Sequence, residues 1–399
     1  VNLPALLQAA GLAVALSLLS GAAGAQSLED VRSAAEAGDA SAQASLGALY
    51  ERGEGGAPQD FTLAAQWRLR AAQQGDASAA NGLGRQYAQG LGVEQDYAEA
   101  IAWLGQAAQT GAAPYVHDLA LMLEAAPSPY GDPARAVALY EQAAATGFAS
   151  SQANLGFITY QGDLVEKDVP RALELLTAAA EQGHPQAQNN LGLIYSRGDG
   201  VEQDYETAFE WFALAAEQGL PQAMTNLGVM YESGFGVAID EARATELYRR
   251  GGQLSGNTLQ AVLDATGMPY DRRLQPPSIE QAALDSILLQ AAAGDPIGLY
   301  VSAWLLSSEQ GVRANFPLAA EQYLQAAEAG LAPAQLNLGL LYLRGAGVPQ
   351  DYAYGFMWIS RAAENGAPDA AGVRDAVLPF ISADQVNAAQ AMLRDGEED

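Results

Sequence analysis

Short apolar bursts at helical spacing alternate along this chain with polar loops that carry glycine, and the alternation keeps a fixed length. In one stretch Leu191, Ile194 and Tyr195 line one side of a segment that the pattern predicts as a helix over residues 184–196. The polar loop Arg197–Gln203 follows, and Trp211, Ala215 and Ala216 mark a second helix over residues 205–218. The same two-helix unit returns at each Leu-Gly pair: Leu46-Gly47, Leu83-Gly84, Leu155-Gly156, Leu191-Gly192, Leu227-Gly228 and Leu338-Gly339. Leu119-Ala120 and Ser302-Ala303 are degenerate copies in the same slots.

Helix boundaries keep the same time. Asp96, Asp132, Asp168, Asp204 and Asp240 stand 36 residues apart, and Asp60, Asn315 and Asp351 fill the same slot. A carboxylate or amide there accepts a backbone N–H that the first helical turn leaves free. Gly111, Gly147, Gly183, Gly219, Gly294, Gly330 and Gly366 stop the second helices, where glycine takes a left-handed conformation at little cost. A fixed period of 20–50 residues means a repeat architecture, each unit burying its apolar face by stacking on its neighbours. The expected fold is therefore all-α, a solenoid of about nine helix-turn-helix repeats of 36 residues.

One unit breaks the pattern. Between Gly251 and Ser278 the Leu-Gly pair becomes Leu263-Asp264, and the run Met268-Pro269-Tyr270-Asp271-Arg272-Arg273-Leu274-Gln275-Pro276-Pro277 replaces the usual loop, its prolines forbidding a continuous helix. The predicted organisation is a leader over 1–25, a solenoid over 27–252, a degenerate repeat and joint over 253–278, further repeats with capping helices over 279–394, and an acidic disordered tail over 395–399. Ser27–Ala37 reads as a lone second helix closing the N-terminal end.

Composition then narrows the function. With 47 acidic against 19 basic residues the net charge is −28, which repels phosphate backbones and argues against nucleic-acid binding. Zero cysteines remove disulfides, thiolate metal sites, cysteine nucleophiles and a lipid-bearing cysteine together. The first charged side chain is Glu29; before it lie apolar Leu12–Leu19 and Ala23-Gly24-Ala25, the pattern of a Sec-type signal peptide cleaved after Ala25. That predicts a periplasmic or secreted protein with no stable membrane insertion after cleavage; the missing basic residue near the start leaves an uncleaved anchor as the alternative.

The run Asn190-Leu191-Gly192-Leu193-Ile194-Tyr195-Ser196-Arg197-Gly198-Asp199-Gly200-Val201-Glu202-Gln203-Asp204-Tyr205, continued by Trp211 and Ala215-Ala216-Glu217-Gln218-Gly219, resembles the Sel-like repeat, a helical repeat related to the tetratricopeptide repeat. The resemblance spans about Ser27 to Arg394, and Gly366–Leu393 looks like the capping helices of secreted bacterial members. It implies a right-handed superhelix of antiparallel helix pairs acting as a protein–protein adaptor, and it carries over no catalytic residue. The implied partner is a protein or peptide of the cell envelope, gripped in a concave groove, in the manner of a regulator of an envelope signalling complex. A polysaccharide-assembly scaffold is the alternative reading. A cell-wall or β-lactam hydrolase is disfavoured, because the chain lacks both cysteine and an S-x-x-K motif. Oligomeric state is left open.

Candidate chemistry is sparse. His117 and His184 are the only histidines, no H-E-x-x-H or G-x-S-x-G occurs, and no catalytic, metal-binding or cofactor-binding residue is assigned. Gly90-x-Gly92, Gly198-x-Gly200 and Gly345-x-Gly347 lack the preceding strand or lysine of a phosphate loop and read as tight turns. Trp67, Trp103, Trp211 and Trp358 share one slot and read as interhelical core. Two sets of residues are candidates for partner binding. Asn154, Asn190, Asn226 and Asn337 form an amide ladder suited to an extended peptide backbone, or to hydrogen bonds between repeats. Arg249, Arg250, Tyr270, Arg272 and Arg273 bracket the degenerate unit in a strongly acidic chain, as a dock for an acidic partner or as members of intramolecular ion pairs.

Overall fold

The computed structural model describes residues 27–255, 258–274, 280–308 and 313–395. The expected leader, the last four tail residues and Gln275-Pro276-Pro277 lie outside the described residues. Twenty-one α-helices, one short 3-10 turn and no strand are found among the described residues.

Each unit has the predicted form. The repeat read most closely in the sequence folds as helices Pro185–Arg197 and Tyr205–Glu217. Asp204 accepts from the backbone N–H groups of Glu206 and Thr207, and the same slot caps its helix through Asp60, Asp96, Asp132, Asp168, Asp240, Asn315 and Asp351. The opening helix Leu28–Glu36 carries a full capping box between Ser27 and Asp30. The Leu-Gly glycines admit the partner helix at close range: a Cβ on Gly192 would lie 2.6 Å from the Phe212 ring, and one on Gly339 2.6 Å from Ile359.

The Gly-x-Gly turns join one repeat to the next. Gly236 has φ +66°, and a Cβ there would stand 2.3 Å from the carbonyl oxygen of Tyr205, the residue that opens the second helix of the preceding repeat. Gly347 meets the Phe316 carbonyl in the same way. A glutamine adds a second stitch: Gln188 donates to the Ala180 carbonyl of the repeat before it (3.1 Å) and accepts from Gln218 (2.7 Å). Gln43 and Gln335 repeat both bonds, with Ala35 and Gln74 and with Ala327 and Asn365. Interior backbone carbonyls at the ends of second helices are thereby satisfied.

The chain divides into two compact units. The first holds the described residues of Val1–Gly47, Ala65–Gln89 and Glu94–Asn257; the second holds those of Ala48–Ala64, Gly90–Val93 and Thr258–Asp399. This differs from the expected division into 27–252 and 279–394, because pieces of the first two repeats belong to the second unit.

In the first unit the core runs as a row of clusters, among them Leu104, Met122 and Tyr140, then Leu176, Leu191 and Ile194, then Phe212, Met224 and Met230. The expectation for the tryptophan slot needs correction here. Trp67, Trp103 and Trp211 are only half-buried, with Arg70 over the face of Trp67 and the Trp103 indole N–H donating to Glu99. Their large rings lie at the edge of an alanine-rich core too thin to enclose them. In the second unit Trp358 is the one of the set that is fully enclosed, beside Phe356, Tyr323 and Tyr300.

The second unit also contains the cap. Helices Ala370–Val377 and Ala383–Asp395 pack with Phe61 and Leu91 in one core. The Gln390 side chain accepts from the Phe61 N–H (2.9 Å) and donates to the Gln59 carbonyl (3.3 Å). Asn387 forms the same reciprocal pair with Gly92 N–H and the Gly90 carbonyl (2.8 and 2.7 Å). Buried Arg374 reaches the Arg52 carbonyl, and Arg394 pairs with Asp60.

Candidate functional site

The first helix of each repeat carries the residues singled out in the sequence. In the first unit the asparagine slot is used largely between repeats. Asn226 donates to Asn189 (2.9 Å); in the equivalent pair the direction is reversed, with Asn81 in the Asn189 position donating to Asp118 in the asparagine slot (3.0 Å). Asn190 is buried and accepts from Gln186 (3.3 Å), while Asn154 bonds the hydroxyl of Tyr140. One turn beyond the ladder stand Phe157, Leu193 and Val229, 36 residues apart. Leu193 is half-buried, but Phe157 and Val229 are 44% and 42% exposed. This face of the first unit thus shows an apolar stripe beside a row of amides.

The second unit shows the same face covered. Trp304 occupies the slot of Phe157, Leu193 and Val229, and Asn337 the slot of the other asparagines. Helix Leu259–Thr266 ends at Gly267, and the chain then runs without regular secondary structure, bending at Met268, against helices Pro296–Ser307 and Ala332–Arg344. Three successive carbonyls of that segment are taken by three side chains. Arg344 donates to Gly267 (2.7 Å) and to Leu263 (2.5 Å), the Trp304 indole to Met268 (2.9 Å), and Asn337 to Pro269 (3.0 Å). The Tyr300 hydroxyl also donates to Pro269 and accepts from the Asp271 N–H (2.9 Å). The Tyr270 ring rests against Tyr300 and Trp304, with centroids 5.7 and 4.8 Å away.

These donors are held in place from below. Asn337 is fully buried and its amide also donates to the Tyr323 hydroxyl, which pairs in turn with Ser307. Burial raises the Tyr300 and Tyr323 hydroxyls well above the usual tyrosine range, so both remain protonated donors. Arg344 is half-buried; desolvation lowers its pKa, and its nearest bonded partners are carbonyls and the Met268 sulfur rather than a carboxylate.

The arginines do not share one environment. Arg249 and Arg250 lie exposed on helix Glu241–Ser255 of the first unit, with Arg249 paired to Glu246. Arg272 and Arg273 follow the irregular segment of the second unit. Arg272 is exposed, and Arg273 grips Asp271 through two nitrogens, holding that carboxyl below its ordinary range. Tyr270 is half-buried beneath its aromatic neighbours' edge rather than displayed. The covered face, and the role of Trp304, Tyr300 and Arg344 in it, were missed by the sequence reading. The only available signal was the break in period that also marked the joint.

Other chemistry is structural. His117 is buried, bonded to buried Ser151 (2.9 Å) and packed on Tyr140 and Phe148; burial pushes its pKa down to about 4. Among the described residues no group of three or more His, Asp or Glu side chains is arranged to hold a metal ion, and no helix is long and apolar enough to cross a membrane.

Comparison with known proteins agrees with the repeat register. No curated protein matches the chain. Its structure is similar to that of a protective antigen of uropathogenic Escherichia coli with an SLR fold: 26% identity over 94% of this chain and 95% of that one, TM-score 0.53. It is also similar to a Sel1 repeat protein from Oxalobacter formigenes: 28% identity, covering 53% of this chain and 85% of that one, TM-score 0.50. The Sel1 repeat model matches residues 40–76, 77–111, 117–148, 149–184, 185–220, 221–255, 299–331 and 332–366. With eight matches in register with the helix pairs, caps and turns described above, this chain belongs to the Sel1 repeat family.

Proposed function

We propose that this chain is an envelope scaffold whose first unit docks an extended segment of a protein partner on the face bearing Asn154, Asn190 and Asn226. Sel1 repeats generally mediate protein–protein interaction and are generally not enzymes. The observation that carries the finer reading is the exposure of Phe157 and Val229 beside the amide row, in a slot that the second unit covers with peptide. Apolar anchors give contact area, and amide groups left over from the bonds within the solenoid can meet backbone groups of a bound segment. Such a partner would need basic character at its flanks, since the scaffold carries a net charge of −28. An envelope location is supported by the apolar Leu12–Leu19 stretch and by Ala23-Gly24-Ala25, as a Sec-type leader requires.

The test places a photo-crosslinking amino acid at Leu193 and exposes the protein to envelope extract. A defined crosslinked partner is expected, lost when Phe157→Glu and Val229→Glu are combined without change in helical circular dichroism. Crosslinking that is indifferent to the two glutamates would overturn the assignment of this face.

A further inference from the structure

The irregular segment after Gly267 on the second unit has the contacts of a bound peptide. Its backbone carbonyls at Gly267, Met268 and Pro269 are each met by a side chain from a helix that is distant in sequence. Its N–H at Asp271 is met by Tyr300, and its one large ring, Tyr270, fills the angle between Tyr300 and Trp304. A loop that merely connected two helices would bond its own turn residues. This one bonds its own neighbours at its two ends, Gly267 N–H to the Leu263 carbonyl and Leu274 N–H to the Asp271 carbonyl, and gives three carbonyls to a surface that includes an asparagine enclosed on every side and oriented by Tyr323.

We propose that Gly267–Asp271 is a built-in ligand. The face formed by Tyr300, Trp304, Asn337 and Arg344 is then a binding site for extended peptides with an apolar-proline-aromatic sequence, closed in this chain by its own segment. The proposal rests on the reading that first-helix faces of this protein bind extended chain, and it names the sequence class that the site accepts. Proline suits the site because its missing N–H leaves no donor to satisfy, and because it favours an extended residue before it. The residue after it supplies the aromatic ring. An external peptide competes with a tethered one, whose effective concentration lies in the millimolar range for a short linker, so the resident segment excludes weak ligands.

The experiment uses a fluorescein-labelled peptide of residues 265–274 and the full chain, read by anisotropy. The wild type is expected to show no saturable binding at concentrations where a release variant, Met268→Ser with Tyr270→Ser, saturates; the two should differ at least tenfold in Kd. Adding Asn337→Leu to the release variant should weaken binding at least tenfold again. A release variant with wild-type helical circular dichroism that binds no better than wild type would overturn the proposal. Should that variant unfold, hydrogen exchange on the wild type decides. The amides of residues 268–273 are expected to exchange faster than helices Pro296–Ser307 and Ala332–Arg344, and faster still with excess unlabelled peptide. Exchange in step with those helices, unmoved by peptide, would make the segment a fixed cover. Neither result depends on Phe157 or Val229, so the fate of the first-unit docking face is decided separately.

Discussion

Gly219 and Gly236 both hold left-handed backbone, at φ +87° and +66°, yet differ in what surrounds them. A Cβ on Gly219 meets nothing within 4 Å, whereas one on Gly236 would stand 2.3 Å from the Tyr205 carbonyl oxygen and 2.8 Å from the Glu206 nitrogen. Gly219→Ala therefore carries only the backbone term, about 1 kcal/mol. Gly236→Ala carries the same term plus the displacement of a neighbouring repeat's backbone, which at overpacked sites adds about 1–3 kcal/mol. For a unit of roughly 200 residues this corresponds to a fall in Tm of about 2–4 °C for the first variant and about 4–16 °C for the second. Thermal melts give the totals, and hydrogen exchange over residues 205–240 gives the location. The second variant should loosen the first turn of helix Tyr205–Glu217, which lies in the preceding repeat. Equal losses in the two variants, or loosening confined to the mutated loop, would refute the claim that the second glycine is a junction between repeats.

Other outcomes are expected from the same structure. His117 has an ordinary pKa near 6.5 when unfolded and about 4 when folded, so its contribution is neutral above 6.5. Between pH 6.5 and 4 the unfolded chain takes up a proton that the fold refuses, costing up to about 3 kcal/mol. Neighbouring Asp118, raised by burial, acts in the opposite sense, so the comparison to make is His117→Asn against wild type by urea titration at pH 7 and 4.5. The variant should lose less stability on acidification, and parallel losses would count against the assignment. Gln390→Ala strands the Phe61 N–H and the Gln59 carbonyl and should cost about 2–3 kcal/mol, with faster exchange at residues 59–63 as the local readout. Asp351→Ala removes the bond to the Tyr354 N–H and should cost about 1 kcal/mol in chemical denaturation. Intact-mass measurement of protein from the periplasm is expected to give a chain beginning at Gln26; a product retaining Val1–Ala25 would support a membrane anchor.

The period, the caps and the tight helix pairs were legible because each is written within one repeat. Asp204 caps a helix that begins one residue later, and Gly192 faces Phe212 from the same unit. The Gly-x-Gly turns were read as local, and half of their role was missed, since the carbonyl that Gly236 accommodates is 31 residues away. Tryptophans sharing a slot were taken for core because periodicity reports which side of a helix a residue occupies, and not how deep the layer beneath it is. Asn337, read as an amide for an extended peptide or for bonds between repeats, donates to the Pro269 carbonyl of its own chain. That the chain would supply the strand itself follows from the path taken after Thr266, on which helical periodicity is silent. The contacts of Gln390 and Asn387 with the first two repeats were equally hidden, because amide side chains meeting backbone leave no pattern in composition or spacing.

Those last contacts bear on how the protein is made. Phe61 and Gln390 are separated by 329 residues, so at ordinary rates of synthesis roughly 16–66 s pass between the appearance of one and of the other. Throughout that interval Phe61, Leu91 and the backbone around Gln59 lack the helices that enclose them in the finished chain. A chain that stops after the last matched repeat, at residue 366, never acquires them. Synthesis of helix Ala383–Asp395 is therefore registered more than 300 residues earlier in the chain, where Phe61 gains its cover only once Gln390 has been made.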